Sequence, residues 1–309
     1  MNTLHLKYAV EVERSGSITR AAEKLFMNQP HLSKTIHELE DSIGILIFKR
    51  TSKGMLPTKK GREFLDYAKN ILYQVAKMEN LLLDEKDRTV SLNVAVPRSS
   101  YISDAFTEFV AALPKDRAQC IDYRETNSLR SIREVGDGEI DLGVIRFQEG
   151  YESYFMEVLK NRGIQSELLR AFQYYLLMSR RHPLATAETI RYSDLQDYVE
   201  IVHGDAGGPA LTGTGNRYFA EEEKKTREIA IYERGSQLEL LDRIPETYMW
   251  VAPMPQYTLD TFSLALRDCE IPGNSHRDYL IYRKGHMFTA EELLFIEKLK
   301  QAAGGGKDR

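Results

Sequence analysis

The sequence is poor in cysteine and has no long apolar run. Its two cysteines, Cys120 and Cys269, are too few for a disulfide framework in 309 residues, and they suit a reducing compartment. We interpret both as buried structural thiols because neither has a neighbouring cysteine or a thiolate-stabilising cluster; a redox pair is the alternative. No stretch approaches the roughly 20 apolar residues that span a bilayer, and acidic residues interrupt the N-terminal segment where an export signal would be apolar. We therefore expect a cytoplasmic protein without membrane contact.

Signatures of catalysis and metal binding are also missing. The sequence contains no GxSxG, GxGxxG or P-loop pattern. Its seven histidines are scattered, and none has a second ligand at the spacing of a metal site. We therefore expect no metal, no cofactor and no enzymatic activity. An enzyme whose active-site residues are distributed along the chain remains the alternative.

Charge is distributed unevenly along the chain. Residues 1–62 contain eleven lysines and arginines against six acidic residues, a net charge of +5. Since the whole chain carries −4, the remainder carries −9. A basic N-terminal part followed by an acidic body is typical of a nucleic-acid-reading domain attached to a second function.

Residues 17–50 predict two short helices joined by a tight turn and followed by a small hairpin. Ser17 is a suitable N-cap for the first helix, while Asn28 caps the second and Pro30 lies in its first turn. An apolar stripe follows at spacings of four, three and four: Leu32, Ile36, Leu39 and Ile43. This periodicity predicts that one face of the second helix packs into a core.

The opposite face of that helix carries groups that can meet a groove edge or a phosphate: Gln29, Pro30, Ser33, Lys34 and His37. A short helix with one buried and one polar face fits the major groove of B-DNA. In the basic hairpin that follows, Arg50 and Lys53 are expected at phosphates or in the flanking minor groove. The alternatives are an ordinary amphipathic helix in a small bundle and a merely solvated hairpin.

A long helix is predicted from Thr58 to about Asp87. Its apolar residues follow a heptad-like spacing: Phe64, Ala68, Ile71, Val75, Met78 and Leu82. Because a long helix with one apolar stripe rarely stands alone, we expect it to pair with a second chain.

From residue 89 strands alternate with helices, which predicts a parallel, doubly wound α/β sheet. The predicted strands of a first block cover 90–96, 120–124 and 141–145. A second block begins near 163, with strands near 171–179, 198–202, 227–232 and 248–251. A last strand at 278–282 precedes a closing helix at 289–302. Ligands bind at the strand ends of such sheets. Candidate ligand residues at these ends are Ser99, Ser100, Tyr101, Asn127, Ser128, Arg146 and His203. The alternative is that the serines and the asparagine are only helix caps and that Arg146 forms a salt bridge.

The N-terminal part contains a set of residues at characteristic spacings: Gly16, Ser17, Thr19, Ala21, Ala22, Leu25, Gln29, Pro30, Leu32, Ser33, Ile36, Leu39, Glu40, Gly44, Leu46, Phe48, Lys49, Arg50, Thr58 and Gly61. This pattern resembles the LysR-type transcriptional regulators. Three positions depart from the family pattern: Asn28 replaces a usual serine, His31 a usual small residue and Lys34 a frequent arginine. His31 and Lys34 lie on the groove-facing side and bear on which bases are read. We include all three positions among the expected DNA contacts.

The resemblance implies an all-α winged helix-turn-helix at 1–58, a dimerising linker helix at 59–88, and an α/β effector-binding domain at 89–309. That domain would be two-lobed and similar to type 2 periplasmic binding proteins, with lobe I at about 89–162 and 270–302 and lobe II at about 163–269. Implied partners are promoter duplex DNA, RNA polymerase, a small anionic or aromatic effector between the lobes, and further copies of the chain in a dimer or tetramer. A solute-binding protein is the remaining rival, although the basic helical head disfavours it.

Overall fold

The computed structural model describes residues 2–51, 54–84, 88–204, 227–233, 235–269, 271 and 274–304. Within these residues no helix combines the length and the apolar character needed to cross a membrane. The chain divides into two compact units, which are treated separately below. Unit 1 comprises residues 1–89 with 137–139, and unit 2 comprises 90–136 with 140–309.

Unit 1 is a helical domain with a small two-stranded wing. Its elements are α1 (Thr3–Ser15), α2 (Ile18–Lys24), α3 (Gln29–Ile43), β1 (Phe48–Thr51), β2 (Gly54–Pro57) and α4 (Lys59–Leu81). Each helix begins at a side chain that accepts a hydrogen bond from its first turn; these N-caps are Asn2, Ser17, Asn28 and Thr58. Such caps satisfy backbone N–H groups that have no partner within the helix, so the local sequence defines where each helix starts.

The core of unit 1 lies where α1, α2 and α3 meet the wing and the start of α4. Its buried residues are Ala9, Val12, Ala21, Ala22, Leu32, Ile36, Leu39, Ile47, Phe48 and Leu65. The predicted stripe of α3 therefore faces inward, with Ile43 only half-buried at its end. Ala21 and Ala22 are small enough for the neighbouring helices to approach closely.

The wing is fixed to the helices by hydrogen bonds. The buried carboxylate of Glu40 on α3 accepts hydrogen bonds from the backbone N–H groups of Ile47, at 2.7 Å, and Phe48, at 3.0 Å. The N–H of Met55 donates to the carbonyl of Gly16, at 3.0 Å. These bonds couple the position of the hairpin to that of α3.

Helix α4 is shorter than predicted. It ends at Leu81, where the sequence pattern extends it to about residue 87, and residues 85–87 lie outside the described part of the chain. Near this end the side-chain amide of Asn80 accepts the N–H of Thr89 at 2.8 Å and donates to its carbonyl at 3.0 Å. Along the predicted seam Ala68 is buried, whereas Met78 is 58% exposed.

Unit 2 contains two sheets with helices packed on them. Its first elements are β3 (Val90–Val96), α5 (Ser100–Ala111), β4 (Gln119–Glu125), α6 (Ser128–Asp137), β5 (Leu142–Gln148), α7 (Glu152–Asn161) and β6 (Ile164–Gln173). The following elements are β7 (Tyr175–Ser179), β8 (Val199–His203), β9 (Arg227–Ile231), α8 (Gly235–Arg243), β10 (Thr247–Val251), α9 (Gln256–Thr261) and β11 (Leu264–Arg267). The last two are β12 (Ser275–Arg283) and α10 (Ala290–Gly304).

The sheets are mixed, where the sequence predicted parallel ones. The first has the order β4-β3-β5-β12-β6, and we call it lobe I together with its helices; the second has the order β11-β7-β10-β8-β9 and forms lobe II. Strands β3, β4 and β5 are parallel, but β12 runs antiparallel to β5 and β6, and β7 antiparallel to β10 and β11. The antiparallel strands are those that flank the two places where the chain passes between lobes.

The first passage between the lobes lies later than the predicted boundary near residue 163. Strand β6 pairs with β12 over its whole length, so it belongs to lobe I, and the chain enters lobe II around Tyr174. The return passage precedes Ser275. Asn274 joins both passages, since its Oδ1 accepts from the N–H of Tyr174 at 3.0 Å and its Nδ2 donates to the Tyr174 carbonyl at 2.8 Å.

Of the two cysteines, Cys269 is buried in the core of lobe II, as expected. Cys120 is exposed on β4, so its interpretation as a buried thiol was wrong. Strand β4 lies at an edge of the first sheet, and the strand pattern alone does not show which face of an edge strand is covered.

Candidate functional site

The polar face of α3 lies on the surface of unit 1. Among the residues expected to contact DNA, those with exposed side chains are Asn28, Gln29, Pro30, His31, Lys34 and His37, and Ser33 is half-buried. None of them belongs to the core cluster of the unit. Asn28 also has a local role, because its Oδ1 accepts the backbone N–H of His31 at 2.9 Å. The face is therefore available to a partner.

One exposed ion pair lies on this face. Lys34 Nζ lies 3.7 Å from Glu38, with both side chains more than half exposed. An exposed pair of this kind contributes about 0.5 kcal/mol or less. A phosphate can therefore compete for the lysine at little cost.

The wing adds basic side chains beside α3. Lys49 and Arg50 are exposed on β1, whereas Lys53 lies outside the described residues.

The turn between α2 and α3 contains a feature that the sequence pattern did not predict. Phe26 adopts a left-handed backbone, φ 54°, and its ring is 98% exposed.

A cavity of about 390 Å³ lies in unit 2 between the strand ends of the two lobes. Four of the predicted ligand residues line it: Ser99, Ser100, Arg146 and His203. The other three, Tyr101, Asn127 and Ser128, are not among its lining residues. The cavity falls in the size range of small-molecule sites.

Ser99 occupies the N-cap position of α5 but does not act as a cap. Its side chain makes no capping hydrogen bond, it is 4% exposed, and its Oγ has no hydrogen-bond partner among the described residues. Because a buried hydroxyl without a partner is costly, the position favours a ligand that bonds to it. The N-terminus of α5 also favours a negatively charged or electron-rich group there.

Arg146 is one half of a buried ion pair. Its Nε and Nη2 donate to the two carboxylate oxygens of Asp278, at 2.8 Å and 2.7 Å, and Asp278 is fully buried. Burial disfavours the charged guanidinium, but the neighbouring Asp278 carboxylate outweighs it and raises the pKa of Arg146. The positive charge expected at this strand end is therefore already neutralised.

The three predicted residues that do not line the cavity form hydrogen bonds next to it. Tyr101 donates its hydroxyl to Asp278 at 2.8 Å, and burial raises the pKa of Tyr101 well above its ordinary value. The hydroxyl of Ser128 donates to the carbonyl of Arg146 at 2.7 Å and accepts from its N–H at 2.9 Å. Asn127 accepts the N–H of Arg130 at 2.9 Å, as a helix cap does.

Lobe II supplies most of the cavity wall, and sequence reasoning missed nearly all of it. His203 Nδ1 lies 2.7 Å from Nε2 of the buried Gln237 on α8. The apolar lining residues of this lobe include Leu177, Leu238, Met249, Trp250, Met254 and Phe262. Trp250 Nε1 has no hydrogen-bond partner among the described residues. The sequence contained one signal for this wall: the apolar residues that end β10, because the end of that strand faces lobe I.

Two hydrogen bonds join the lobes beside the cavity. Tyr257 on α9 donates to Oδ1 of Asp104 on α5 at 2.6 Å, and Arg98 Nη2 donates to the carbonyl of Tyr232 at 3.1 Å. Tyr257, Asp104 and Arg98 all line the cavity. A ligand that enters must therefore accommodate or displace these contacts.

One further group of possible metal ligands occurs among the described residues. Asp141, His286 and Glu292 offer ligand atoms that lie within 4.8 Å of one another. Glu292 already bonds His286 Nε2 and the N–H of Thr289, both at 2.9 Å, and it therefore completes the first turn of α10. Glu292 and His286 therefore have a local structural role, and Asp141 lies 3.7 Å from Arg283.

A helix-turn-helix with an exposed polar face, a basic wing and a separate unit with a ligand-sized cavity together define a ligand-responsive DNA-binding regulator. Family models agree with that class. The model for the bacterial regulatory helix-turn-helix protein of the lysR family matches residues 4–62, and the LysR substrate binding domain matches residues 92–304. The chain belongs to the LysR family of bacterial transcriptional regulators. It is a DNA-binding transcriptional regulator whose activity a small-molecule effector modulates through the substrate-binding domain.

Several characterised relatives are similar over most of the chain. The Hca operon transcriptional activator HcaR of Escherichia coli (strain K12) is 30% identical over 240 residues, 75% of each chain. The regulator AlsR of Bacillus subtilis (strain 168) is 26% identical over 216 residues, 68% of this chain and 67% of AlsR. The RuBisCO operon transcriptional regulator of Allochromatium vinosum is 24% identical over 296 residues, 93% of this chain and 91% of the relative.

Solved structures show the same fold. The LysR family regulator CbnR aligns with a TM-score of 0.63 at 18% identity, covering 98% of this chain and 99% of CbnR. LysG of Corynebacterium glutamicum, solved with its bound effector Arg, aligns with a TM-score of 0.59 at 14% identity over 98% of both chains. Membership in a family of regulators also disfavours the solute-binding alternative.

Proposed function

We propose that the polar face of α3 enters the major groove of the operator while the wing contacts the flanking backbone. The groove contacts would be Asn28, Gln29, Pro30, His31, Ser33 and His37. Lys34 on the same face would contact a phosphate, and Arg50 and Lys53 would lie at phosphates or in the minor groove. The exposure of the α3 face carries this proposal, because a face buried in the unit 1 core could not read DNA. Glu40 would keep the wing and α3 in the register that such a double contact needs.

Replacement of one groove residue tests the surface. Gln29→Ala should relax the preference for one base pair of the operator, because a glutamine amide contributes about 1–3 kcal/mol of discrimination at a base edge. Gln74→Ala is the matched control, since Gln74 is exposed on α4 away from this face. Affinities for the operator and its single-base variants are measured by fluorescence anisotropy. Equal base preference in both variants would contradict the assignment.

We propose that the effector binds in the cavity of unit 2, in contact with Ser99, Ser100, Arg146 and His203. Tyr101, Asn127 and Ser128 would act indirectly, by holding Asp278, α6 and the Arg146 backbone in place. The buried, unpartnered hydroxyl of Ser99 is the observation that carries this assignment. An effector changes DNA binding only if it binds one arrangement of the protein better than another.

A thermal-shift screen of small acids and aromatic compounds tests the cleft. Compounds that raise the melting temperature of the full chain should do so less in Ser99→Ala than in Thr107→Ala. Thr107 is the matched control because it lies on the same helix, is exposed, and bonds only within α5. Equal shifts in the two variants would place the binding site elsewhere.

Self-association through α4 is the third part of the proposal. Ile71, Met78 and Leu82 are 42%, 58% and 82% exposed, and a second α4 would bury this stripe. Pairing would present two copies of α3 to half-sites about one DNA turn apart. Ile71→Asp should then sediment as a monomer, whereas a dimer or tetramer of unchanged size would contradict pairing through α4.

We also propose that the assembled regulator acts in the cytoplasm by engaging RNA polymerase and catalyses no reaction.

A further inference from the structure

Phe26 lies in the turn between α2 and α3, and its ring is 98% exposed. Its neighbours Leu25 and Met27 are partly buried against the core of unit 1, whereas Phe26 takes no part in that cluster. Because the two neighbours face inward, the chain holds the ring between them on the outside. The ring therefore contributes almost nothing to the packing of the unit.

The backbone at Phe26 is unfavourable for a residue of this kind. Its φ of 54° lies in the left-handed region, which residues with bulky side chains rarely adopt. Among the described residues of unit 1, the other positive φ angles belong to Gly16, Gly44 and Gly54. Glycine would suit position 26 as well, because it has no Cβ. An unfavourable backbone together with an exposed apolar ring indicates a residue whose benefit lies outside the folded chain.

Hydrogen bonds hold this turn in one conformation. The N–H of Phe26 donates to the carbonyl of Glu23 at 3.2 Å, and the N–H of Met27 donates to the carbonyl of Ala22 at 3.0 Å. Two residues after Phe26, the side chain of Asn28 caps α3. The ring is therefore in place before a partner arrives, which lowers the entropic cost of binding that partner.

Phe26 lies next to the face of α3 that we propose to contact DNA. The exposed side chains that follow it are Asn28, Gln29 and Pro30, at the N-terminal end of α3. Three residues of chain separate the Cα atoms of Phe26 and Gln29 by at most about 11 Å, and the major groove is about 12 Å wide. The ring is thus within reach of the base edges beside those that Gln29 would meet.

A phenyl ring can recognise one kind of group on those edges. It has no polar atom, so it cannot read the pattern of hydrogen-bond donors and acceptors that a base pair presents. The C5 methyl of thymine is the apolar group on the major-groove edge, and phenylalanine is among the side chains that contact it. Such a contact removes apolar surface of both the ring and the methyl group from water.

Resting on the contact between α3 and DNA proposed above, we propose that Phe26 is a specificity-determining residue that recognises one thymine methyl group in each operator half-site. The turn presents the ring to the methyl group while the first turn of α3 contacts the neighbouring base edges. Burial of the ring against DNA offsets the cost of its left-handed backbone.

Removal of the methyl group from the DNA tests this contact. The wild-type full chain first selects an operator duplex from a random-sequence pool. Each thymine of one half-site is then replaced singly by deoxyuracil, which lacks only the methyl group. Fluorescence anisotropy should show about fourfold weaker binding at one of these positions, which is the effect expected for one buried methyl group.

Variants of Phe26 connect that loss to the ring. Phe26→Gly should bind the unmodified operator at least about fourfold more weakly and should show no further loss on the sensitive deoxyuracil duplex, since changes to two groups in contact are not additive. Phe26→Tyr keeps the ring and should keep the loss, as should the control Gln74→Ala at an exposed position of α4. Phe26→Gly should change the urea midpoint little, because glycine adopts a left-handed backbone without strain.

The outcomes separate this contact from the DNA-binding face itself. If no deoxyuracil position weakens the wild type, or if Phe26→Gly keeps the wild-type loss at the sensitive position, the inference is overturned, and the base preference of Gln29→Ala still decides the α3 face. If Phe26→Gly binds the operator like the wild type but sediments as a smaller species, the ring meets a second copy of the chain, which also overturns the inference. If Gln29→Ala keeps the wild-type base preference, the α3 face itself is contradicted.

Discussion

The polar face of unit 1 and the cavity of unit 2 differ in how far apart their residues lie in the sequence. The α3 face is built within one helix, from Asn28 to His37, so a single helical period brings its residues together. The cavity collects residues from Arg98 to Phe262 through strand pairings and two passages between lobes. A local surface needs only a helix of the correct length, whereas the cavity needs the whole of unit 2 to be folded.

This difference predicts that the largest loss of stability follows from breaking the buried ion pair of unit 2. Asp278→Ala removes both acceptors of Arg146 and the acceptor of Tyr101, so it leaves an unpaired buried cation. Such a change costs about 3–5 kcal/mol of unfolding free energy. Urea denaturation, followed by hydrogen exchange of unit 2 peptides, measures the loss.

Asp122→Ala is the matched control for Asp278, because Asp122 is 56% exposed in its pair with Arg124. It should cost less than about 1 kcal/mol. Similar losses in the two variants would show that the buried pair does not hold the cavity together.

The second prediction concerns pH and is also specific to unit 2. Glu200 on β8 is 6% exposed, its Oε1 has no partner among the described residues, and Tyr248 lies 3.4 Å from its Oε2. Burial, and next the negative charge of Glu228, raises the pKa of Glu200 to about 7 from 4.5. The folded state therefore binds a proton more tightly than the unfolded state does.

Stability from this carboxyl is fully present below pH 4.5, falls as the pH rises towards 7, and stays constant above that value. The expected loss is about 3 kcal/mol. Glu200→Gln should remove this pH dependence, whereas Glu228→Gln, at an exposed position, should preserve most of it. Parallel curves of unfolding free energy against pH for the wild type and Glu200→Gln would refute the prediction.

A smaller effect is expected in unit 1, where one side chain links α3 to the wing. Glu40→Ala leaves the backbone N–H groups of Ile47 and Phe48 without their acceptor and should cost about 2 kcal/mol. Glu38→Ala removes only the exposed pair with Lys34 and should cost less than about 0.5 kcal/mol. Hydrogen exchange at the two amides distinguishes the variants; unchanged protection in Glu40→Ala would contradict the link.

The same contrast explains which features could be predicted from the sequence. Caps at Ser17 and Asn28, the start of the long helix near Thr58 and the α3 stripe were predicted because each depends on neighbours within one turn or two. The pairing of β6 with β12 was missed, since strand order depends on contacts more than a hundred residues apart. For the same reason the alternating pattern after residue 89 did not reveal that the sheets are mixed.

The cavity was predicted in part. Strand ends located Ser99, Ser100, Arg146 and His203, because ligands in such sheets lie at those ends. The sequence did not show that Asp278 neutralises Arg146 from a strand 132 positions later, or that Tyr101 turns towards Asp278. Nor did it predict the lobe II wall, because Trp250 and Phe262 look like ordinary core residues until the lobes are placed together.

The salt dependence of operator binding by the full chain tests the central claim most directly. Lys34→Ala should reduce the slope of log affinity against log salt concentration by about one, because one phosphate contact is lost. Lys7→Ala, at an exposed lysine on α1 outside the proposed surface, should leave the slope unchanged. If both variants keep the wild-type slope, the exposed face of α3 does not contact the DNA backbone.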